Sequence, residues 1–401
     1  MNKSTFFSGQ PIFAQLLKFI PKDSIARIAH DSKADHYSKR FNTYEHLVTM
    51  LYSIFNNCNS LREITTGMLA SEQRLAHLGV RYHPRRSTIS DANIRRQAKV
   101  FEEIYSSIFK KYFHFLSDSR IKSRASKMYI LDSTTISLFQ EVLRTGGPNP
   151  ASGKRKGGIK VHTMIRSDQD VPCMIRFSSG VANDSQFLKD IHLPKGSVIV
   201  FDRGYRDFAT LNRFTTDSIT WVTRRTKLFA IAIKNKIENP GNDKCIISDQ
   251  QIIMGHKDIK HRVNARLVRY RDPDTDELYE FVTNNLKMSG PTIAAIYRKR
   301  WQIESLFKRM KQNYPLKYFL GDSENAIKIQ IWCSLIADLL LKIVKKAAAA
   351  RWSFSNLAAM VRLHLMTYID LLGFLKSPEK SLLKLFSKPI KQRNNQLSFV
   401  T

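Results

Sequence analysis

Met128-Tyr129-Ile130-Leu131-Asp132-Ser133-Thr134-Thr135-Ile136-Ser137-Leu138 is where the chain changes period. Apolar and β-branched residues crowd this stretch and predict a strand. After breaks at Gly146-Gly147-Pro148 and Gly157-Gly158, two further strands follow, Ile159 to Arg166 and Val171 to Phe177. The polar link Ser167-Asp168-Gln169-Asp170 between them reads as a hairpin turn. A helix is predicted near Asp184 to Ile191. The short apolar strand Ser197 to Phe201 then runs into Asp202-Arg203-Gly204, another helix starts near Asp207, and Ile219 to Thr223 forms one more strand.

Three strands, a helix, a strand, a helix and a strand is the order of a ribonuclease-H-like core. The expected fold class is therefore α/β: a mixed-sheet catalytic core of that kind with a β-rich insertion, flanked by helical N- and C-terminal regions. Residues 226 to 285 supply the insertion, with Leu267-Val268-Arg269-Tyr270 and Tyr279-Glu280-Phe281-Val282 on either side of the turn-forming Asp272-Pro273-Asp274. A single helix is predicted from Pro291, a suitable first-turn residue, to about Asn313. Trp221 and Trp301 are assigned to core or helix packing. The expected domains are 1–124, helical; 125–345, the core; and 346–401, helical, with an amphipathic helix from Phe354 to Leu372.

In the first domain Ser60-x-x-Glu63 is a capping box for a helix running to Gly79, and Thr88-x-x-Asp91 opens a second helix carrying Arg95, Arg96 and Lys99. Two helices across a turn with a basic second member suit DNA docking. An ordinary helical bundle with a basic rim fits the same residues.

Charge narrows the partners. The 401 residues hold 65 Lys and Arg against 34 Asp and Glu, a net charge of +31. Such an excess attracts polyanions. The basic residues are dispersed through folded-looking sequence, which favours nucleic acid over a membrane surface. One acid-free stretch holds Lys154-Arg155-Lys156 and Lys160, and another holds Arg224, Arg225, Lys227, Lys234 and Lys236. Four scattered cysteines offer neither a disulfide framework nor zinc-ligand spacing. No apolar run reaches the roughly 20 residues of a membrane span. A soluble intracellular protein is expected.

Asp132 and Asp202 each lie at or near a strand end, where an unpaired carboxylate is costly to bury and must face something cationic. Adjacent strands would bring the two together, and hard oxygen ligands suit Mg²⁺ or Mn²⁺. On a continuous helix Tyr297, Arg300, Glu304 and Lys311 fall within an arc of about 60°. Apolar Ile296, Ile303, Phe307 and Met310 form the neighbouring stripe that presses the helix onto the sheet. Glu304 then completes a three-carboxylate site for two divalent ions. Arg300 and Lys311 would hold DNA phosphates, and Tyr297 would donate a hydrogen bond or stack. Plainer readings stay open: Asp132 capping a Ser-Thr-Thr turn, Asp202 paired with Arg203 or Arg206, and Glu304 paired with Lys308 one turn on.

Tyr297-x-x-Arg300-x-x-x-Glu304-x-x-x-x-x-x-Lys311 resembles the Y-R-E-K signature of bacterial insertion-sequence transposases of the insertion-sequence-four type, within the DDE transposase and integrase group. Leu131-Asp132-Ser133-Thr134 is similar to the first-aspartate block, and Phe201-Asp202-Arg203-Gly204-Tyr205 to the second. Gly158-Ile159-Lys160-Val161-His162 and Asn183-Asp184-Ser185-Gln186 fall where the family has similar stretches. The resemblance implies catalytic and metal-binding Asp132, Asp202 and Glu304, with Mg²⁺ or Mn²⁺, as two ions, for cofactor. It implies cleavage at the ends of a mobile element and joining of the freed 3′-hydroxyl to target DNA by cut-and-paste transposition. The implied partners are double-stranded DNA, as terminal inverted repeats and target, and a second copy in an end-paired homodimer. The implied location is the bacterial cytoplasm, at the nucleoid. Some relatives flip a base onto an aromatic residue of the insertion; here that strand holds Tyr279 and Phe281 and no tryptophan. Two other functions compete: a metal-dependent nuclease of the same fold without strand transfer, and a non-catalytic DNA-binding repressor.

Overall fold

A computed structural model describes residues 9–117, 127–137, 158–180, 184–205, 207–226, 230–237, 244–255 and 262–379. The chain forms two compact units, one of residues 1–92, 99–108 and 333–401 and the other of residues 93–98 and 109–332.

The first unit is helical. Its central helix, Thr43–Asn56, starts with a reciprocal cap between Asn42 and Glu45, buries Leu47, Val48, Met50, Leu51 and Ile54 completely, and ends on left-handed Asn57. Residues 12–15 and 365–371 are joined in this one body. The amides of Ile12 and Phe13 donate to the carbonyls of Thr367 and Leu365 at 2.9 and 2.8 Å, and the Gln15 amide group both donates to the Ile369 carbonyl and accepts from the Leu371 N–H. The predicted cap at Ser60 forms, its hydroxyl accepting the Glu63 N–H at 3.2 Å, while the Glu63 carboxylate reaches back to the amide of Asn59. The helix stops at Ala70, short of the expected Gly79. A short helix Glu72–Leu75 and a 3₁₀ turn Ala76–Leu78 follow, closed by Gly79 at φ +74°. The next helix is Arg86–Arg95, so it starts before Thr88, and Lys99 belongs to the following helix, Ala98–Leu116. The expected helix from Phe354 to Leu372 is in fact two, Phe354–Leu363 and Leu371–Lys376.

In the second unit the sequence pattern sets the strands. These are β1 (Met128–Ser137), β2 (Gly158–Arg166), β3 (Pro172–Ser179), β4 (Val198–Phe201), β5 (Thr220–Arg224), β6 (Ile231–Lys236), β7 (Ile246–Met254), β8 (Val263–Arg271) and β9 (Leu278–Thr283). Among the described residues they make one sheet in the order β3-β2-β1-β4-β5-β9-β8-β7-β6. β1, β4 and β5 are parallel, and β2 and β3 extend the β1 side as an antiparallel hairpin. Every residue of β4 is buried, as a parallel strand covered on both faces requires. Ile199 and Phe201 pack with Phe187, Leu188, Phe214 and Trp221 on one face; Val198 and Val200 pack with Ile293, Ile296 and Tyr297 on the other. This is the mixed α/β architecture of a ribonuclease-H-like core.

The insertion, β6 to β9, is a continuation of that sheet, because β9 pairs antiparallel with β5 through Val222 and Thr283. Its outermost strand, β6, is exposed and carries Lys234 and Lys236, charges that discourage edge-to-edge pairing. Inside it, the buried Arg266 of β8 grips Asp249 of β7, with its Nε donating at 2.8 Å, and also donates to the carbonyls of Asn285 (3.2 Å) and Met288.

The helix predicted from Pro291 to Asn313 is broken. It forms as Gly290–Arg298 and Trp301–Asn313, separated by a turn at Lys299-Arg300. There the amides of Lys299, Arg300, Gln302 and Ile303 bond to carbonyls three residues back, so the coil tightens for one turn. Trp221 is core, as expected. Trp301 is 63% exposed and packs neither core nor helix, because it opens the second piece on its outer side. Among the described residues, no helix is long and apolar enough to cross a membrane.

Candidate active site

The site is built where β4 stops. Leu131 and Phe201 are paired in parallel register, so Asp132 and Asp202 are the next residues along two neighbouring strands. β1 itself runs on to Ser137 beside β2, which places Asp132 inside a strand and not in a capped turn. One Asp132 oxygen accepts the Ser133 N–H at 2.8 Å, and the other accepts from Arg300 Nη1 at 3.1 Å. Burial raises its carboxyl to about 6. The Ser133 amide and Arg300 act against that rise, and the nearby carboxylates of Asp202 and Glu304 add to it.

Glu304 arrives on the helix Trp301–Asn313, which packs against β1. It is bound by Arg300 Nη2 at 2.7 Å, so the ion pair it makes points one turn back and not forward to Lys308. The Arg300 guanidinium thus bridges Asp132 and Glu304, with 15% of its side chain exposed. Burial works against its charge, and Tyr297, Asp132 and Glu304 outweigh burial. Tyr297 is buried beneath it, with its ring 5.6 Å from the guanidinium carbon and 5.0 Å from the Phe281 ring; burial raises its phenol. Lys311 is exposed farther along the same helix.

The remaining sequence-predicted cations do not share this place. Lys160 is mostly buried beside the site and pairs with Asp184 at 3.2 Å. Arg224 lies over the ring of Tyr279 at 4.8 Å, and Arg225 pairs with Glu280 at 3.1 Å. Arg95 is exposed at the end of its helix, whereas Arg96 is 4% exposed; an expected DNA contact at Arg96 is corrected to an internal position. Lys154, Arg155, Lys156 and Arg206 lie outside the described residues. Sequence reasoning about charge and spacing missed Asp184, His162, Ser133 and Tyr205, which meet behind the two aspartates. Their signal was present in the short stretches Leu131 to Thr134, Gly158 to His162, Asn183 to Gln186 and Phe201 to Tyr205.

In type the donors suit a hard divalent cation: the carboxylates of Asp132 and Asp202 at adjacent strand positions, and that of Glu304, joined to Asp132 through Arg300, offer only oxygen. Among the described residues no three His, Cys, Asp or Glu side chains stand close enough to hold one ion. The guanidinium lodged between Asp132 and Glu304 separates that pair.

The family described as Transposase DDE domain matches residues 124–340, which contain all three carboxylates and the insertion, and a Domain of unknown function (DUF4372) matches residues 8–81. A Sinorhizobium fredii sequence named as a transposase, y4zB, is 28% identical over 66% of this chain and 72% of its own length. One from Synechocystis, named for insertion sequence element IS4SA, is 28% identical over 64% of this chain and 71% of its own. The piggyBac transposase synaptic complex with hairpin DNA has a TM-score of 0.43 at 12% identity, over 95% of this chain and 82% of that one. With more than half of its length matched, and with its strand order and acidic residues falling inside the match, the chain belongs to the Transposase DDE domain family.

Proposed function

We propose that this protein is the transposase of a bacterial insertion sequence of the insertion-sequence-four type, cutting DNA at the element's ends and joining the freed 3′-hydroxyls to target DNA. The observation that supports the reading is that Asp132 and Asp202 follow paired residues of two neighbouring strands, and that Glu304, far off in the chain, is tied to Asp132 through the Arg300 guanidinium. In this reading the three carboxylates hold Mg²⁺ or Mn²⁺. Two such ions, when bound, would stabilise the attacking and leaving oxygens of the phosphodiester.

The protein's own groups do the rest. Arg300, released from Asp132 and Glu304, is long enough to turn toward a DNA phosphate, and the buried Tyr297 ring beneath it limits where it can go. Exposed Lys311 reaches phosphate farther along the same helix. The N-terminal helical region, with Arg95 exposed, reads the terminal inverted repeats, and two copies pair the ends. The site of action is the nucleoid.

The test is incubation of the full chain with a duplex containing the element end, a target plasmid and Mg²⁺. Joined end–target products are expected. Nicks or double-strand breaks without joining would instead make the protein a nuclease of this fold, and binding without cleavage a repressor.

A variant checks the guanidinium. Arg300→Ala leaves Asp132 and Glu304 facing each other without a counter-charge, and should lower stability in chelator by roughly 1–3 kcal/mol, discounted from a fully buried pair because Glu304 is part-exposed. Added Mn²⁺ should return more of that loss than it adds to the wild type. Melting curves with and without Mn²⁺ read the difference directly.

A further inference from the structure

Asp184 is a fourth carboxylate at this end of the sheet, immediately before the helix Ser185–Lys189. Its Oδ1 accepts the Ser133 hydroxyl at 3.1 Å, pairs with Lys160 Nζ at 3.2 Å, and lies 3.5 Å from His162 Nδ1. The hydroxyl of Tyr205 lies 3.4 Å from the same ring nitrogen. His162 Nε2 meets the Ser178 hydroxyl at 2.8 Å, and Phe187 stacks on the ring at 5.2 Å. Burial lowers the His162 pKa. A Cβ at Gly204 would stand 3.3 Å from Asp184 Oδ2, so the carboxylate lies close against that backbone.

Both arms of this network end on the strand-borne aspartates. Ser133 donates its amide to the Asp132 carboxylate at 2.8 Å, and Tyr205 donates its amide to the Asp202 carbonyl at 3.1 Å. Asp184 Oδ1 is already engaged by a hydroxyl and an ammonium, and Lys160 cancels its charge. It is therefore placed to hold other groups and is poorly placed to be a further ligand. We propose that Asp184 is a positioning residue which, through Ser133 and Tyr205, fixes the backbone from which Asp132 and Asp202 project toward a divalent ion. This inference rests on the metal-site reading above.

The experiment is a Mn²⁺ titration of the full chain followed by electron paramagnetic resonance, with melting curves to confirm the folded fraction. Asp184→Asn should weaken Mn²⁺ binding about 10–100-fold, the range for partners that orient metal ligands. Ser133→Ala should weaken it in the same direction, Ser133→Thr should restore it, and the Asp184→Asn/Ser133→Ala double variant should bind no more weakly than Asp184→Asn alone. Wild-type affinity in folded Asp184→Asn, with binding lost in Asp132→Ala, overturns the inference alone. Weak binding by Asp184→Asn with wild-type affinity in Ser133→Ala also overturns it, by making Asp184 a direct ligand. Absence of Mn²⁺ binding by the wild type, or wild-type binding by Asp132→Ala, overturns the metal-site reading and this inference with it.

Discussion

Asp132→Ala, Asp202→Ala and Glu304→Ala are each expected to reduce end cleavage by at least about 10³-fold, beyond the roughly 10–100-fold typical of a group that only orients a metal ligand. The three should be equal within assay error, because losing any one opens the same carboxylate set. Folding should survive all three. Asp132 and Asp202 follow the last paired residues of β1 with β4, and Glu304 is part-exposed, so no large apolar side chain is lost. Asp132→Ala even removes a carboxyl whose ionisation burial opposes. End binding in gel shift should also persist, since phosphate affinity comes from cations. Normal cleavage by any one variant would remove that residue from the site.

The second large effect is on salt. A chain of net charge +31 that neutralises six to ten phosphates should lose about 10³–10⁵ in DNA affinity between 50 and 200 mM salt. The slope of log affinity against log salt counts the contacts, and Lys311→Ala should lower it by about one. Lys160, Arg225 and Arg96 should not change the slope by direct contact, because the first two are spent on Asp184 and Glu280 and the third is buried. Fluorescence anisotropy over a salt series measures this. A flat dependence would contradict an electrostatic interface.

The core strands were legible because burial on both faces writes Val198-Ile199-Val200-Phe201 as an unbroken apolar run, and because Gly and polar links punctuate the hairpin β2–β3. The meeting of Asp132 and Asp202 followed from strand adjacency. The helix break at Lys299-Arg300 was hidden, since neither residue is a helix breaker and the apolar spacing continues through both halves. Without the break, Arg300 and Glu304 read as two members of one polar face at the edge of the buried stripe. In the fold Arg300 turns inward as the counter-charge of Asp132, a pairing 168 residues apart in the chain that no local pattern encodes. The neighbours Arg95 and Arg96 show the same limit, one exposed and one buried, with identical side chains. Asp184 was visible only as part of a family-like stretch, because its partners come from β1, β2 and the segment after β4.

The Arg266 grip has an evolutionary corollary. A chain trimmed of β6 to β8 would retain the β5–β9 junction yet lose the guanidinium that fastens the link at Asn285 and Met288, just ahead of the helices that deliver Arg300 and Glu304. Miniaturising such an enzyme by excising its outer strands would therefore unmoor the third acid. Shorter descendants would have to reinvent that brace before they could discard the rest.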